Sequence, residues 1–179
     1  MSTCFFIGHR EAPDSLLPTL IDEVERHITE YDVKSFVVGH YGQFDALAGQ
    51  AVMEAKKRHP EVSLIMLLPY QNSGRPTILP EGFDNTFYPF GMERIPPRAA
   101  IPKANQYMVD HSDFLIAYGR PRLRRPQAKK QGISHPYSYS FAYPRQGIKK
   151  RHRFVLPMAL PRQMAGLYSV IWLRGGGPD

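Results

Sequence analysis

Polar residues suited to binding an anion follow the first apolar segment of the chain. The segment Thr3–Ile7 ends in Gly8, His9 and Arg10. A glycine allows the backbone to approach a phosphate, and an arginine supplies charge-assisted hydrogen bonds. A histidine can donate a hydrogen bond or a proton. We therefore predict that Gly8, His9 and Arg10 form part of an anion-binding site; the alternative is an ordinary tight turn with two exposed side chains.

A second glycine turn follows the next apolar segment. Gly39 and Gly42 precede a helical pattern in which Asp45 lies in the first turn. Such a turn predicts an anion nest, meaning consecutive backbone amides that point at one acceptor, and Asp45 is suited to accept ribose hydroxyls. Alternatively, Asp45 only compensates the helix dipole. The spacing does not match the dinucleotide fingerprint GxGxxG, so NAD is not predicted and the cofactor stays unassigned.

An α/β sheet is required to bring these two turns together. Apolar runs alternate with amphipathic helical patterns, which predicts a Rossmann-like parallel sheet between two helical layers. The predicted strands are Thr3–Ile7, Lys34–Val38, Val62–Leu68 and Asp113–Tyr118, and the predicted helices are Ser15–Tyr31, Phe44–Arg58 and Ala99–Ser112. Because the carboxyl ends of parallel strands share one edge, the two turns should open into one cleft.

Composition divides the chain near residue 118. Residues 1–118 carry a net charge of −5 and residues 119–179 carry +12. We predict a ligand-binding domain at 1–118, in which the last β-unit of the sheet is missing or altered. An irregular, poorly ordered basic tail rich in Pro and Arg is predicted at 119–179. The abrupt change also fits a frame-shifted reading of the coding region. The long segment Pro69–Pro97, rich in proline and aromatic residues, is expected to be functional or disordered.

Four motifs, taken together, resemble the YpsA-like branch of the SLOG superfamily, which is named for the Smf/DprA and LOG proteins. They are CFFIGHR, the Gly-x-x-Gly-x-Phe-Asp turn, LPEGF at Leu79–Phe83, and KANQYMVDHSDFLIAY at Lys103–Tyr118. The resemblance implies a Rossmann-like domain that binds a nucleotide or nucleotide-derived ligand. It covers about residues 3–118. Lys103 stands where the family usually has an arginine, and the family's glycine turn after the fourth strand is replaced by Arg/Pro-rich sequence.

Lys103 and Asn105 complete the predicted ligand-binding set. They lie near the start of a predicted helix that faces the carboxyl edge of the sheet, where they would contact a base or a phosphate. The alternative is a solvated helix face. Lysine cannot make the planar bidentate contact of arginine, so Lys103 would act as a point charge.

Catalytic motifs are missing from the sequence. There is neither a Gly-x-Ser-x-Gly elbow nor the LOG phosphoribohydrolase pattern PGG-x-GT-x-x-E, and the histidines have no metal-ligand spacing. We therefore predict ligand binding with a sensor or regulatory role. An alternative is an enzyme acting on an N-glycosidic or phosphate bond, with His9 and Asp45 as acid and base. Another alternative is nucleic-acid binding through the basic, aromatic-containing tail.

The cellular location is predicted from cysteine usage and hydropathy. Cys4 is the single cysteine and lies within the first predicted strand, so no disulfide framework exists. No segment resembles a signal peptide, and no apolar run approaches the ~18–20 residues of a membrane span. These features predict a cytoplasmic protein without a membrane partner. The oligomeric state is not predicted.

Overall fold

A seven-stranded sheet forms the centre of the protein. The computed structural model describes residues 2–71, 78–119, 152–155 and 167–172. The strand order across the sheet is β4-β3-β2-β1-β5-β7-β6. The strands are β1 (Ser2–Gly8), β2 (Val33–Val38), β3 (Ser63–Leu67), β4 (Asn85–Phe87), β5 (Phe114–Tyr118), β6 (His152–Val155) and β7 (Leu167–Trp172).

Three α-helices connect the strands within the described part of the chain. They are α1 (Leu17–Tyr31), α2 (Gln43–Lys56) and α3 (Pro97–His111), and short 3-10 turns precede α1 at Asp14–Leu16 and α3 at Met92–Arg94. Their bounds lie within two residues of the predicted helices. Helices α1 and α2 pack on one face of the sheet and α3 packs on the other. The predicted three-layer α/β arrangement is therefore confirmed.

Strand β1 supplies the centre of both hydrophobic cores. Its side chains alternate, so Cys4 and Phe6 face α1 and α2, whereas Phe5 and Ile7 face α3. All four are buried. This explains why the segment is apolar at every position, as expected for a strand covered on both faces.

Five strands, β4 to β1 and β5, are all parallel. Strand β1 pairs with β2 and β5, and it is the central strand of the seven. Strand β4 pairs with β3 through only three residues, Asn85–Phe87. It lies within the segment 69–97, in which no strand was predicted, because three residues cannot establish an alternating pattern.

The final β-unit of the sheet is altered, as predicted. Next to β5 lies β7, which is antiparallel, and β6 is antiparallel to β7 in turn. The tail predicted to be irregular therefore contains two strands. Strand β7 lies in the short apolar segment near the end of the sequence, and that segment was the feature that could have predicted it. The predicted disorder of the tail otherwise falls outside the described residues.

The LPEGF motif packs against helix α2. A Cβ placed on Gly49 would lie 3.6 Å from Phe83 Cζ, and one placed on Gly82 would lie 2.9 Å from Met53 Cγ. Asp84, the next residue, accepts a hydrogen bond from Leu64 N at 2.7 Å and pairs with Lys56 Nζ at 2.6 Å. These contacts attach the middle of the long loop to β3 and to α2.

His27 is a fully buried titratable group on α1. Its Nδ1–H donates to the Glu23 carbonyl oxygen at 2.7 Å, and its ring packs edge-on against Tyr31 and Phe114. Burial lowers the pKa of His27 from 6.5 to about 4, because the imidazolium would lose its hydration.

We predict that the free energy of unfolding falls as the pH is lowered from about 6.5 to about 4. In this range the unfolded chain binds a proton at His27 that the folded protein does not bind, so stability rises with pH. This proton binding lowers the free energy of unfolding by about 3 kcal/mol over the whole range. Urea unfolding at several pH values measures it. His27→Gln should flatten the profile relative to the parent, and exposed His111→Gln should not. Identical profiles for parent and His27→Gln would contradict the account.

Candidate functional site

A cleft of about 280 Å³ opens at the carboxyl ends of β1, β2 and β3. Seven of the eight predicted site residues line it: Gly8, His9, Arg10, Gly39, Gly42, Asp45 and Asn105. The predicted convergence of the two glycine turns is therefore what the structure shows. Apolar side chains complete the wall, namely Phe6, Ile7, Leu67, Pro69 and Ile101. The cleft combines an apolar wall with a few polar groups, as small-molecule sites do.

Gly8 is required by packing. A Cβ on Gly8 would overlap the ring of Phe44, with 2.8 Å to Cε1 and even closer approaches to Cγ and Cδ1. Phe44 is buried in the first turn of α2 and stacks on Tyr118. The glycine at the end of β1 thus allows α2 to approach the sheet, whether or not a ligand also approaches there.

Arg10 is fixed at the rim of the cleft by the other turn. Its Nε–H donates to the Tyr41 carbonyl oxygen at 3.0 Å. Its own carbonyl oxygen accepts from Gln43 N at 2.7 Å, and a Cβ on Gly42 would lie 2.8 Å from Arg10 Cα. The terminal guanidinium nitrogens have no partner among the described residues. They are oriented donors for an anion.

Asp45 lies under the second turn. Its Oδ2 accepts from Tyr41 N at 3.0 Å. A Cβ on Gly39 would lie 2.6 Å from the same oxygen. Burial raises the pKa of Asp45, while the Tyr41 amide, the nearby His40 and the Gly42 amide oppose that rise. The Tyr41 amide of the predicted anion nest is therefore already bonded to a group of the protein.

His9 is exposed beside Arg10. Its Nδ1 lies 3.1 Å from Glu11 N and 3.3 Å from the Glu11 carbonyl oxygen, and its backbone N–H donates to the Tyr118 carbonyl oxygen at 3.1 Å. The Nδ1 side of the ring is therefore bonded within its own turn, at the wall of the cleft.

Asn105 and Lys103 differ in their position on α3. Asn105 is half-buried in the cleft wall, and its amide has no hydrogen-bond partner among the described residues. It can therefore both donate to and accept from a ligand. Lys103 is exposed and is not part of the cleft wall. Two residues along a helix correspond to about 200° of rotation, so these side chains cannot share one face.

Sequence reasoning did not select Tyr41, which connects the two charged groups. Its backbone bonds both Asp45 and Arg10, and its ring contacts those of His40 and Tyr70. Burial raises the pKa of its hydroxyl, and the neighbouring Tyr70 hydroxyl adds to that rise. Its position between Gly39 and Gly42 was the only feature that could have pointed to Tyr41. Its hydrogen bonds come from the backbone, so the type of its side chain does not predict them. Leu67, Pro69 and Ile101 were also missed, since apolar wall residues resemble core residues.

Comparison with known proteins gives no family assignment. The chain matches no family model, and no curated protein shows significant similarity to it. Within the described residues, no helix has the length and apolarity that a membrane span needs. Over the same residues, no group of three or more His, Cys, Asp or Glu side chains is arranged to hold a metal ion.

We predict that Gly8→Ala destabilises the protein by about 1–3 kcal/mol, because the new methyl group forces the Phe44 ring out of its packed position. Urea unfolding measures the loss. Gly49→Ala is the matched control, since its Cβ meets only Phe83 at 3.6 Å and a helix-interior alanine is favoured by about 1 kcal/mol. Equal stability of Gly8→Ala and the parent would show that Phe44 does not require the glycine.

Proposed function

We propose that the protein binds a nucleotide or nucleotide-derived small molecule in the cleft and acts as a sensor or regulatory protein. The observation that carries this proposal is that Arg10 and Asp45 lie in the same cleft at the carboxyl edge of a parallel sheet. The side chain of each is hydrogen-bonded to the backbone of Tyr41. This edge is where ligands of open α/β sheets bind.

The polar groups of the cleft match the parts of a nucleotide. The open nitrogens of Arg10 suit a phosphoryl group, and the carboxylate of Asp45 suits sugar hydroxyls. The unpaired amide of Asn105 suits the hydrogen-bonding edge of a base. Apolar residues such as Ile101 and Pro69 offer a surface for a planar ring.

Membership of the YpsA-like branch of the SLOG superfamily is part of this proposal. The four motifs support it, and three of them contribute to the cleft: the first strand with its turn, the Gly-x-x-Gly-x-Phe-Asp turn, and the Lys103–Tyr118 motif through Asn105. The LPEGF motif supports this membership only by its place in the fold, because it does not line the cleft. We further propose a cytoplasmic location, in keeping with the one cysteine, Cys4, which is a buried free thiol.

Binding is favoured over catalysis by the contacts of the two acid–base candidates. Asp45 is hydrogen-bonded to the Tyr41 amide, and His9 Nδ1 to Glu11 N. Both groups therefore have positioning roles within their own turns. Nucleic-acid binding through the tail stays a prediction, because the basic side chains that would carry it fall outside the described residues.

We predict that Arg10→Ala weakens nucleotide binding by about 1.5–3 kcal/mol, since it removes a hydrogen bond to a charged group. Arg10→Lys should recover part of the loss, because it keeps the charge but not the bidentate geometry. Calorimetric titration with AMP, ADP-ribose and NAD measures the dissociation constants.

Arg58→Ala is the matched control for Arg10→Ala. Arg58 lies just past the other end of α2, is half-exposed and pairs with Glu25. Its loss removes the same charge far from the cleft and should leave the affinity unchanged. An equal loss of affinity in both variants would indicate a general charge effect, and unchanged binding in Arg10→Ala would refute the proposed site.

A further inference from the structure

Two amides of the turn before α2 donate hydrogen bonds within the protein. Tyr41 N–H donates to the Asp45 carboxylate at 3.0 Å, and Gln43 N–H donates to the Arg10 carbonyl oxygen at 2.7 Å. Amides of this kind, at the amino end of a helix, are the usual donors to a phosphate. Here they already have acceptors, one of which is an anion of the chain.

A phosphoryl group placed at this turn would meet two costs. It would have to displace the carboxylate from Tyr41 N–H, and it would lie beside a second negative charge in a partly buried site. A hydroxyl group meets neither cost, because it can donate to Asp45 while the bond from Tyr41 N–H remains. The turn therefore favours a hydroxyl and disfavours a second anion.

We propose that Asp45 is a specificity-determining residue, which occupies the anion position of the turn and so selects a ligand hydroxyl there while excluding a phosphoryl group. The proposal deepens the proposed function and rests on it for the identity of the ligand class. The anionic group of the ligand then binds at Arg10, whose terminal nitrogens are open.

The ligand class follows from the arrangement of the two charges. Tyr41 binds the Asp45 carboxylate through its N–H and the Arg10 guanidinium through its C=O, so both groups are fixed at the backbone of one residue. The complementary ligand carries one anionic group close to a sugar hydroxyl. A pyrophosphate that spans both positions is excluded, and a ribose is preferred to a deoxyribose.

Asp45 also stabilises α2, and this role has to be separated from selectivity. Its negative charge lies in the first turn of the helix, and its carboxylate accepts from Tyr41 N–H in the segment that leads into the helix. Asp45→Ala frees the Tyr41 amide but removes both of these contributions. Asp45→Asn keeps an oxygen acceptor for Tyr41 N–H and removes only the charge. Folding of both variants is checked by thermal unfolding.

The first experiment measures binding of inorganic pyrophosphate to the full chain by calorimetry. We expect Asp45→Ala to bind it at least tenfold more tightly than the parent, and Asp45→Asn to show a smaller gain. Glu54→Ala is the charge-matched control, since Glu54 lies at the other end of α2 and pairs with exposed Lys57. It should bind as the parent does. No gain in either folded Asp45 variant over this control would overturn the proposal.

The second experiment compares AMP with 2′-deoxy-AMP. We expect the parent to prefer AMP by about tenfold, and Asp45→Asn to lose most of this preference, because the hydroxyl loses a charged acceptor. An equal preference in both proteins would overturn the proposal. If the parent binds neither compound, the proposed function fails for this ligand class, whereas the pyrophosphate result still decides whether Asp45 excludes an anion from the turn.

Discussion

The backbone of Tyr41 is the constraint on which the cleft depends. Its N–H bonds the Asp45 carboxylate at 3.0 Å, and its C=O bonds the Arg10 guanidinium at 3.0 Å. A carboxylate and a guanidinium are thereby both oriented by the backbone of one residue. Each keeps part of its hydrogen-bonding capacity for a ligand. Ordering these side chains in advance lowers the entropic cost of binding.

The position of Tyr41 depends in turn on how α2 packs against the sheet. Phe44 is buried against Phe6 and stacks on Tyr118, and it lies where any side chain on Gly8 would be. The core thus sets how closely the amino end of α2 approaches the end of β1. Arg10 follows β1 and Asp45 lies in α2, so the packing of the core also determines the geometry of the site.

The sequence was sufficient for the parallel part of the fold and for most of the cleft. Buried parallel strands are apolar throughout and are followed by glycine turns, so the strands around Phe5 and Val37 and the convergence of Arg10 with Asp45 could be predicted. Strand β4 was missed because it is three residues long. The role of Tyr41 was missed because backbone contacts do not depend on residue type. Lys103 was placed in the site by family analogy, although its spacing from Asn105 puts it on another face of α3.

The most direct test of the account is to map amide chemical shifts during titration of the full chain with AMP or ADP-ribose. We expect the largest changes at residues 8–10, 39–45 and Asn105, which surround the cleft. Amides at the amino ends of the strands, such as those of Val33 and Ser63, should not change. Shifts confined to that opposite edge or to residues 119–179, with none at Arg10 or Tyr41, would contradict the account.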